Sequence, residues 1–145
     1  DGAERDRLLK MKEEMKLDNV LMLGQMPKSS MPEIWDLSDV SLVLLRKSDL
    51  FKTVIPSKIF ESMAMLKPII LGVEGEVKEI IDDARCGICI EPENSDELAN
   101  AVRKLADDNA LRNEKGQAGR SFVEKYFDRK VLAARYEKLM QTILQ

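Results

Sequence analysis

The chain has 145 residues, 44% of them hydrophobic and 34% charged, with a formal net charge of −3 and no histidine. That length can bury a core of its own, and that composition is globular rather than disordered. The acidic balance argues against a general nucleic-acid binder, and no apolar run approaches the ~20 residues a bilayer span needs. No signal peptide is visible, and a start at Asp1-Gly2 without an initiator methionine is expected of a fragment of a longer chain.

In chain order, residues 3–16 read as an amphipathic helix with Leu8, Met11 and Met15 on one side and a basic, solvated remainder. Residues 20–23 are a continuous apolar run ending at Gly24, the pattern of a buried strand. Ser30 and Glu33 have capping-box spacing with Pro32 in the first turn, which predicts a short helix to Leu37. Residues 41–45 form the next buried strand and residues 69–73 another, with a helix between them that opens near Pro56. Val77, Ile80, Ile81 and Ala84 stripe the following helix, and Gly87 turns the chain into a strand at 88–90. Asn94, Asn109 and Asp128 are the expected caps of three C-terminal helices.

Strands alternating with helices predict βαβ units, hence an α/β fold with a Rossmann-like parallel sheet and flanking helices. Such sheets bind ligands beyond the carboxyl ends of their strands, where residues 24–28, 46–55 and 72–76 fall. Cys86 and Cys89 form a C-x-x-C, but without histidine or a third cysteine they cannot complete a zinc site. Cys89 sits in a strand rather than opening a helix, so the pair reads as structural, reduced and suited to the cytosol. No metal is expected, and Glu74 and Glu76 read as a solvated pair of loop acids.

Residues 56–64, Pro-Ser-Lys-Ile-Phe-Glu-Ser-Met-Ala, are the stretch around which the chain is organised. The first amides of a helix lack intrahelical partners, and the helix dipole turns its positive end toward them, so an anion can sit beside Ser57 and Lys58. Glu61 is one turn in, on the face shared with Ser57. Its carboxylate can accept two hydroxyl hydrogen bonds. Amides suited to phosphate beside a hydroxyl-binding carboxylate suit a nucleotide sugar. The plainer alternative is that Ser57 caps the helix and Glu61 is a solvated first-turn acid.

Residues 55–64, followed by Lys67-Pro68-Ile69-Ile70, resemble the signature of family 4 retaining glycosyltransferases with the GT-B fold. The resemblance extends to Asp1-Gly2, to residues 19–24, to residues 38–45, to Gly75-Glu76, to residues 87–92 and to Gly116-Gln117-Ala118-Gly119-Arg120. It implies a donor, a nucleotide-diphosphate sugar, held by the C-terminal of two Rossmann-like domains. Residues 1–145 would be most of that domain, lacking its first βαβ portion, with C-terminal helices from about 95 to 145. By resemblance, Glu61 holds the ribose hydroxyls, Ser57 and Lys58 with the amides after Pro56 meet the diphosphate, Gly24 and Met26 lie beside the base, and Gly75 and Glu76 belong to the donor-side loop.

Many members carry a second glutamate eight positions before Glu61, where this chain has Thr53, which can hydrogen-bond only without charge. A glycine usually precedes the Lys-Pro pair, where this chain has Leu66, so the helix end is expected to be built differently. The reaction implied is sugar transfer to a hydroxyl acceptor bound by an N-terminal domain, in surface polysaccharide or glycoconjugate synthesis. It would use neither metal nor other cofactor, and would take place in the cytoplasm or peripherally at the inner face of the membrane. The rival readings are a non-catalytic α/β interaction module and a folded fragment that no longer binds ligand. The sheet is expected either to pair residues 20–23 directly with 41–45 or to be completed by a second copy in a homodimer.

Overall fold

The computed structural model describes residues 2–144, which divide into two compact units between Ile34 and Trp35. The smaller unit carries α1 (Arg5–Glu14) and, after an irregular stretch, a 3-10 turn at Lys28–Ser30 that leads into α2 (Met31–Leu37) at the boundary. Leu8, Met11 and Met15 lie along α1 as the periodicity predicts, but all three are exposed. Residues 20–23 do not form the expected strand: they are irregular, with Leu21 75% and Leu23 64% exposed. An apolar run becomes a strand only where a neighbouring backbone completes its ladder. Among the described residues 41–44 pair on one edge with 69–72, and residues 20–23 do not take up the other edge, so the expected pairing is not made.

The larger unit runs β1 (Ser41–Leu44), a 3-10 turn at Asp49–Thr53, α3 (Lys58–Ala64), β2 (Ile69–Gly72), α4 (Glu76–Ala84), β3 (Gly87–Cys89), α5 (Ser95–Asp107), α6 (Asn109–Tyr126) and α7 (Arg129–Ile143). The strands are parallel in the order β1-β2-β3, with Ser41 opposite Ile69 and Ile69 opposite Gly87. Each crossover passes through a helix, as parallel strands require. β2 is buried at every residue, which explains why its sequence is a continuous apolar run rather than an alternation.

Both faces of the sheet are covered. On one, Val43, Ile69 and Leu71 pack with Ile59 and Met63 of α3, Val77 and Ile81 of α4, and Val123 of α6. On the other, Ile70 and Ile88 pack with Leu98, Ala101 and Leu105 of α5. β1 is an edge strand whose Leu42 and Leu44 side chains stay partly exposed. The apolar side chains Tyr136, Leu139 and Ile143 of α7 are exposed.

The caps follow the sequence closely. Asn94 accepts from the Glu97 amide at 3.0 Å while the Glu97 carboxylate accepts from the Asn94 side chain at 3.0 Å. Asp128 accepts from the Lys130 amide at 2.8 Å. The α6 cap is Asp108, bonded to the Leu111 amide at 2.8 Å, one residue before the expected Asn109. Asp and Asn cap equally well, and Asp108 is the residue whose backbone is extended (φ −118°, ψ 90°).

The end of α3 overturns the expectation drawn from Leu66. The Leu66 amide donates to the Met63 carbonyl at 3.1 Å and the Lys67 amide to the Ser62 carbonyl at 2.9 Å, the Schellman pattern, with Leu66 itself left-handed at φ 58°. The geometry is the one a glycine would adopt, held against a left-handed preference penalty of about 1–2 kcal/mol. What holds it is α6. A Cβ on Gly116 would lie 2.2 Å from the Leu66 carbonyl oxygen, so the two backbones touch there. One turn on, the Arg120 guanidinium donates to the Ala64 carbonyl.

Candidate functional site

The mouth of α3 lies beyond the carboxyl end of β1, where a parallel sheet leaves its crevice. The approach is a tight, self-bonded loop. The Ser48 hydroxyl accepts from the Leu50 amide at 3.3 Å and starts the 3-10 turn, and the Thr53 hydroxyl donates to the Leu50 carbonyl at 3.4 Å. Thr53 thus closes its own turn. Pro56 is half-buried, and its carbonyl accepts from the Ile59 amide at 3.1 Å, starting the α3 ladder.

Ser57 does not cap the helix: its backbone is already helical (φ −56°, ψ −25°) and its hydroxyl takes no bond from the first turn. A side chain caps only from an extended residue. Among the described residues the amides of Ser57 and Lys58 find no protein acceptor, so the mouth keeps two donors. The Lys58 ammonium donates to the Leu42 carbonyl at 3.3 Å and ties the mouth to β1. The Glu61 side chain is exposed and makes no hydrogen bond or ion pair among the described residues.

Deeper in, the buried Ser62 hydroxyl donates to the Lys58 carbonyl at 2.8 Å and shares a hydrogen bond of 2.8 Å with the buried Ser41 hydroxyl, so neither is left without a partner. Sequence reading missed this lock between α3 and β1, because a serine at a strand start and a serine in a helix carry no signal of pairing until the two elements are packed.

Gly75 opens α4 at φ 87°, ψ −151°, a conformation open essentially only to glycine. A Cβ there would lie 2.0 Å from the Lys52 carbonyl oxygen. The glycine therefore lets the 49–53 turn rest on the mouth of α4, and brings Gly75 and the exposed Glu76 beside the loop that leads into α3. Of the residues singled out from the sequence, Thr53, Pro56, Ser57, Lys58, Glu61, Gly75 and Glu76 all belong to the larger unit. Gly24, left-handed at φ 74°, and the exposed Met26 belong to the smaller one.

Glu74 is not the solvated loop acid that its sequence suggests. Its two oxygens face two lysines, Oε1 at 3.7 Å from Lys47 Nζ and Oε2 at 3.7 Å from Lys52 Nζ. Lys47 also pairs with Glu91, and Lys52 with Asp49 at 2.7 Å. Lys47, Asp49, Lys52 and Glu74, with Ser48, line a cavity of about 230 Å³. Hydrogen bonding to Glu91, then its charge and that of Glu74, raises the Lys47 pKa. Hydrogen bonding to Asp49 does the same for Lys52, while Lys52 lowers the Asp49 pKa. Lys47, Asp49 and Lys52 fall in a polar loop after a strand, a signal that was legible but unremarkable without Glu74, the partner that follows β2.

The two cysteines are free thiols. Burial pushes Cys86 up to about 11. Burial, then the charge of Asp82 and a hydrogen bond to it, pushes Cys89 up to about 12. Among the described residues no group of three metal-ligating side chains forms, and no helix is long and apolar enough to cross a membrane.

The three-stranded parallel sheet with its flanking helices matches part of the C-terminal domain of GT-B glycosyltransferases. The family described as glycosyl transferases group 1 matches residues 1–122, and the chain belongs to it. It is 28% identical over 95 residues to an alpha-D-kanosaminyltransferase of Streptomyces kanamyceticus, a match covering 66% of this chain and 23% of that protein. In fold it is similar to a sucrose-phosphate synthase of Thermosynechococcus elongatus, at TM-score 0.76 and 22% identity over 99% of this chain and 35% of the other. It is also similar to a glycosyltransferase of Rickettsia africae, at TM-score 0.79 and 20% identity over 97% of this chain and 36% of the other. The C-terminal domain of a group 1 glycosyl transferase of Francisella tularensis superposes at TM-score 0.71 and 23% identity, over 86% of this chain and 63% of that one. The chain therefore spans about a quarter of the curated relative it matches, and from about a third to under two thirds of these structures.

Proposed function

We propose that this chain is the donor-binding domain of a retaining glycosyltransferase, and that it holds a nucleotide-diphosphate sugar. The observation that carries the reading is Glu61: an exposed, unpartnered carboxylate one turn inside a helix whose first amides are also unpartnered, in a chain of this family. An ionised carboxylate accepts both vicinal hydroxyls of a ribose, and free helix amides with a positive dipole end accept a diphosphate. Stabilising the departing nucleoside diphosphate is then what the domain contributes to sugar transfer, with fixed donors aimed at the charge that develops. The acceptor is a hydroxyl compound bound by a preceding domain, the product a surface polysaccharide or glycoconjugate, and the setting the cytoplasmic face of a membrane.

The test is calorimetric titration of the full-length enzyme with uridine and guanosine diphosphates. Charge-assisted hydrogen bonds are worth about 1.5–3 kcal/mol, so Glu61→Ala weakens the preferred nucleotide about 10- to 100-fold. Unchanged affinity in Glu61→Ala removes the ribose assignment. Failure of the intact enzyme to bind either nucleotide removes the donor reading.

A further inference from the structure

We propose that Lys47 and Lys52 are diphosphate-binding residues, and that Glu74 holds their place when the site is empty. The inference rests on the donor reading above, and extends it to residues that no signature in the chain marks. The observation is the shared contact: two ammonium groups converge on the two oxygens of one carboxylate, each at 3.7 Å, at the rim of a cavity of about 230 Å³. A pair of nonbridging phosphate oxygens presents nearly the same spacing as a carboxylate, with more charge.

Three features favour exchange over a fixed structural network. First, the contacts to Glu74 are long, whereas Lys52 lies 2.7 Å from Asp49. Exposed ion pairs contribute little and are readily surrendered to a stronger anion. Second, each lysine has an anchor of its own, Glu91 for Lys47 and Asp49 for Lys52, so displacing Glu74 leaves neither unheld. Third, the positions converge in the fold. Lys47 follows β1, Glu74 follows β2, and Lys52 lies on the turn that Gly75 lets dock, five residues before Ser57. The same crevice edge carries the unpartnered amides of α3. A neutral polyol would gain nothing from displacing Glu74, because a hydroxyl competes poorly with a carboxylate for an ammonium group.

The experiment is calorimetry on the full-length enzyme with uridine diphosphate, guanosine diphosphate and inorganic pyrophosphate, for the wild type, the double variant Lys47→Met/Lys52→Met, its control Lys47→Arg/Lys52→Arg, and Glu74→Gln. The double methionine variant is expected to weaken the bound diphosphate about 30-fold, and the arginine control to stay within about threefold. Glu74→Gln is expected to tighten binding about threefold, since it removes a competing anion; a network that merely braces the loop predicts the opposite sign. The inference is overturned if Glu74→Gln weakens binding as the lysine variant does, if the lysine variant changes affinity less than twofold, or if the wild type binds none of the three anions. Nucleotides that bind no tighter than pyrophosphate, with the lysine dependence intact, overturn the nucleotide reading and leave this inference standing.

Discussion

Gly116→Ala tests how the fold aims its helix mouth. The added Cβ would lie 2.2 Å from the Leu66 carbonyl oxygen, roughly 1 Å inside ordinary contact. Two relaxations are open. The Leu66 peptide can rotate, but it is left-handed and holds the end of α3 through the Met63 and Ser62 carbonyls. Alternatively α6 can move away, which pulls Gly119 off Met63 and Cys86, where its own hypothetical Cβ would lie 3.2 and 3.0 Å away. Ile59 and Met63 are fully buried on that seam, and a gap of 0.5–1 Å forfeits about a quarter to a half of each contact's dispersion energy. Overpacking of this kind costs about 1–3 kcal/mol, occasionally more, and better helix propensity returns about 1 kcal/mol. The clash is with backbone rather than a flexible side chain, which selects the upper end of that range, so the expected net loss is about 2 kcal/mol. In urea, at a slope near 1.5 kcal/mol/M, that lowers the midpoint by roughly 1.3 M with the slope unchanged. Gln117→Ala, at the exposed neighbour on α6, is the control and should gain slightly in stability. A Gly116→Ala protein as stable as the wild type would refute the claim that backbone contact between α6 and Leu66 seats α3.

Other consequences are separable. Gly75→Ala must adopt φ 87°, ψ −151° and meet the Lys52 carbonyl at 2.0 Å, so a stability loss of about 2–3 kcal/mol and weakened diphosphate binding are expected together; retention of both would show that the turn does not rest on α4. Asp128→Ala should lose about 1 kcal/mol through its cap on α7, read by thermal unfolding, with nucleotide affinity untouched. The thiol pKa of Cys86 is raised in the folded chain from 9.0 to about 11. The stability this reflects is complete below pH 9 and is lost as pH rises from there toward 11, because only the unfolded chain releases the proton in that window. Between pH 8 and pH 10 this amounts to about 1 kcal/mol, and Cys86→Ala should flatten the slope in parallel urea titrations. A thiol reagent at pH 8 should correspondingly react slowly with both cysteines until urea is added.

Much of this chain could be read before it was folded. Periodicity marked the helices and the strands at 41–45, 69–73 and 88–90, because an apolar stripe or run reports burial directly. Two of the three expected C-terminal caps are the residues observed, since capping is local chemistry. The Pro56 to Ala64 stretch resembled a glycosyltransferase signature only together with the shorter motifs that precede and follow it in order, and the family so reached is the one that matches. What sequence could not decide were relations between distant segments. Residues 20–23 have the composition of a strand but no ladder, since pairing depends on a partner and not on the run itself. Leu66 looked incompatible with a left-handed cap, and it is held there by Gly116 and Arg120, 50 and more positions away along the chain. Ser41 and Ser62, and Glu74 with its two lysines, became partners only once the strands were aligned side by side. Local free energies of a turn or a cap are written in neighbouring residues; contacts across the sheet and between its helices exist only after chain closure has brought their halves together.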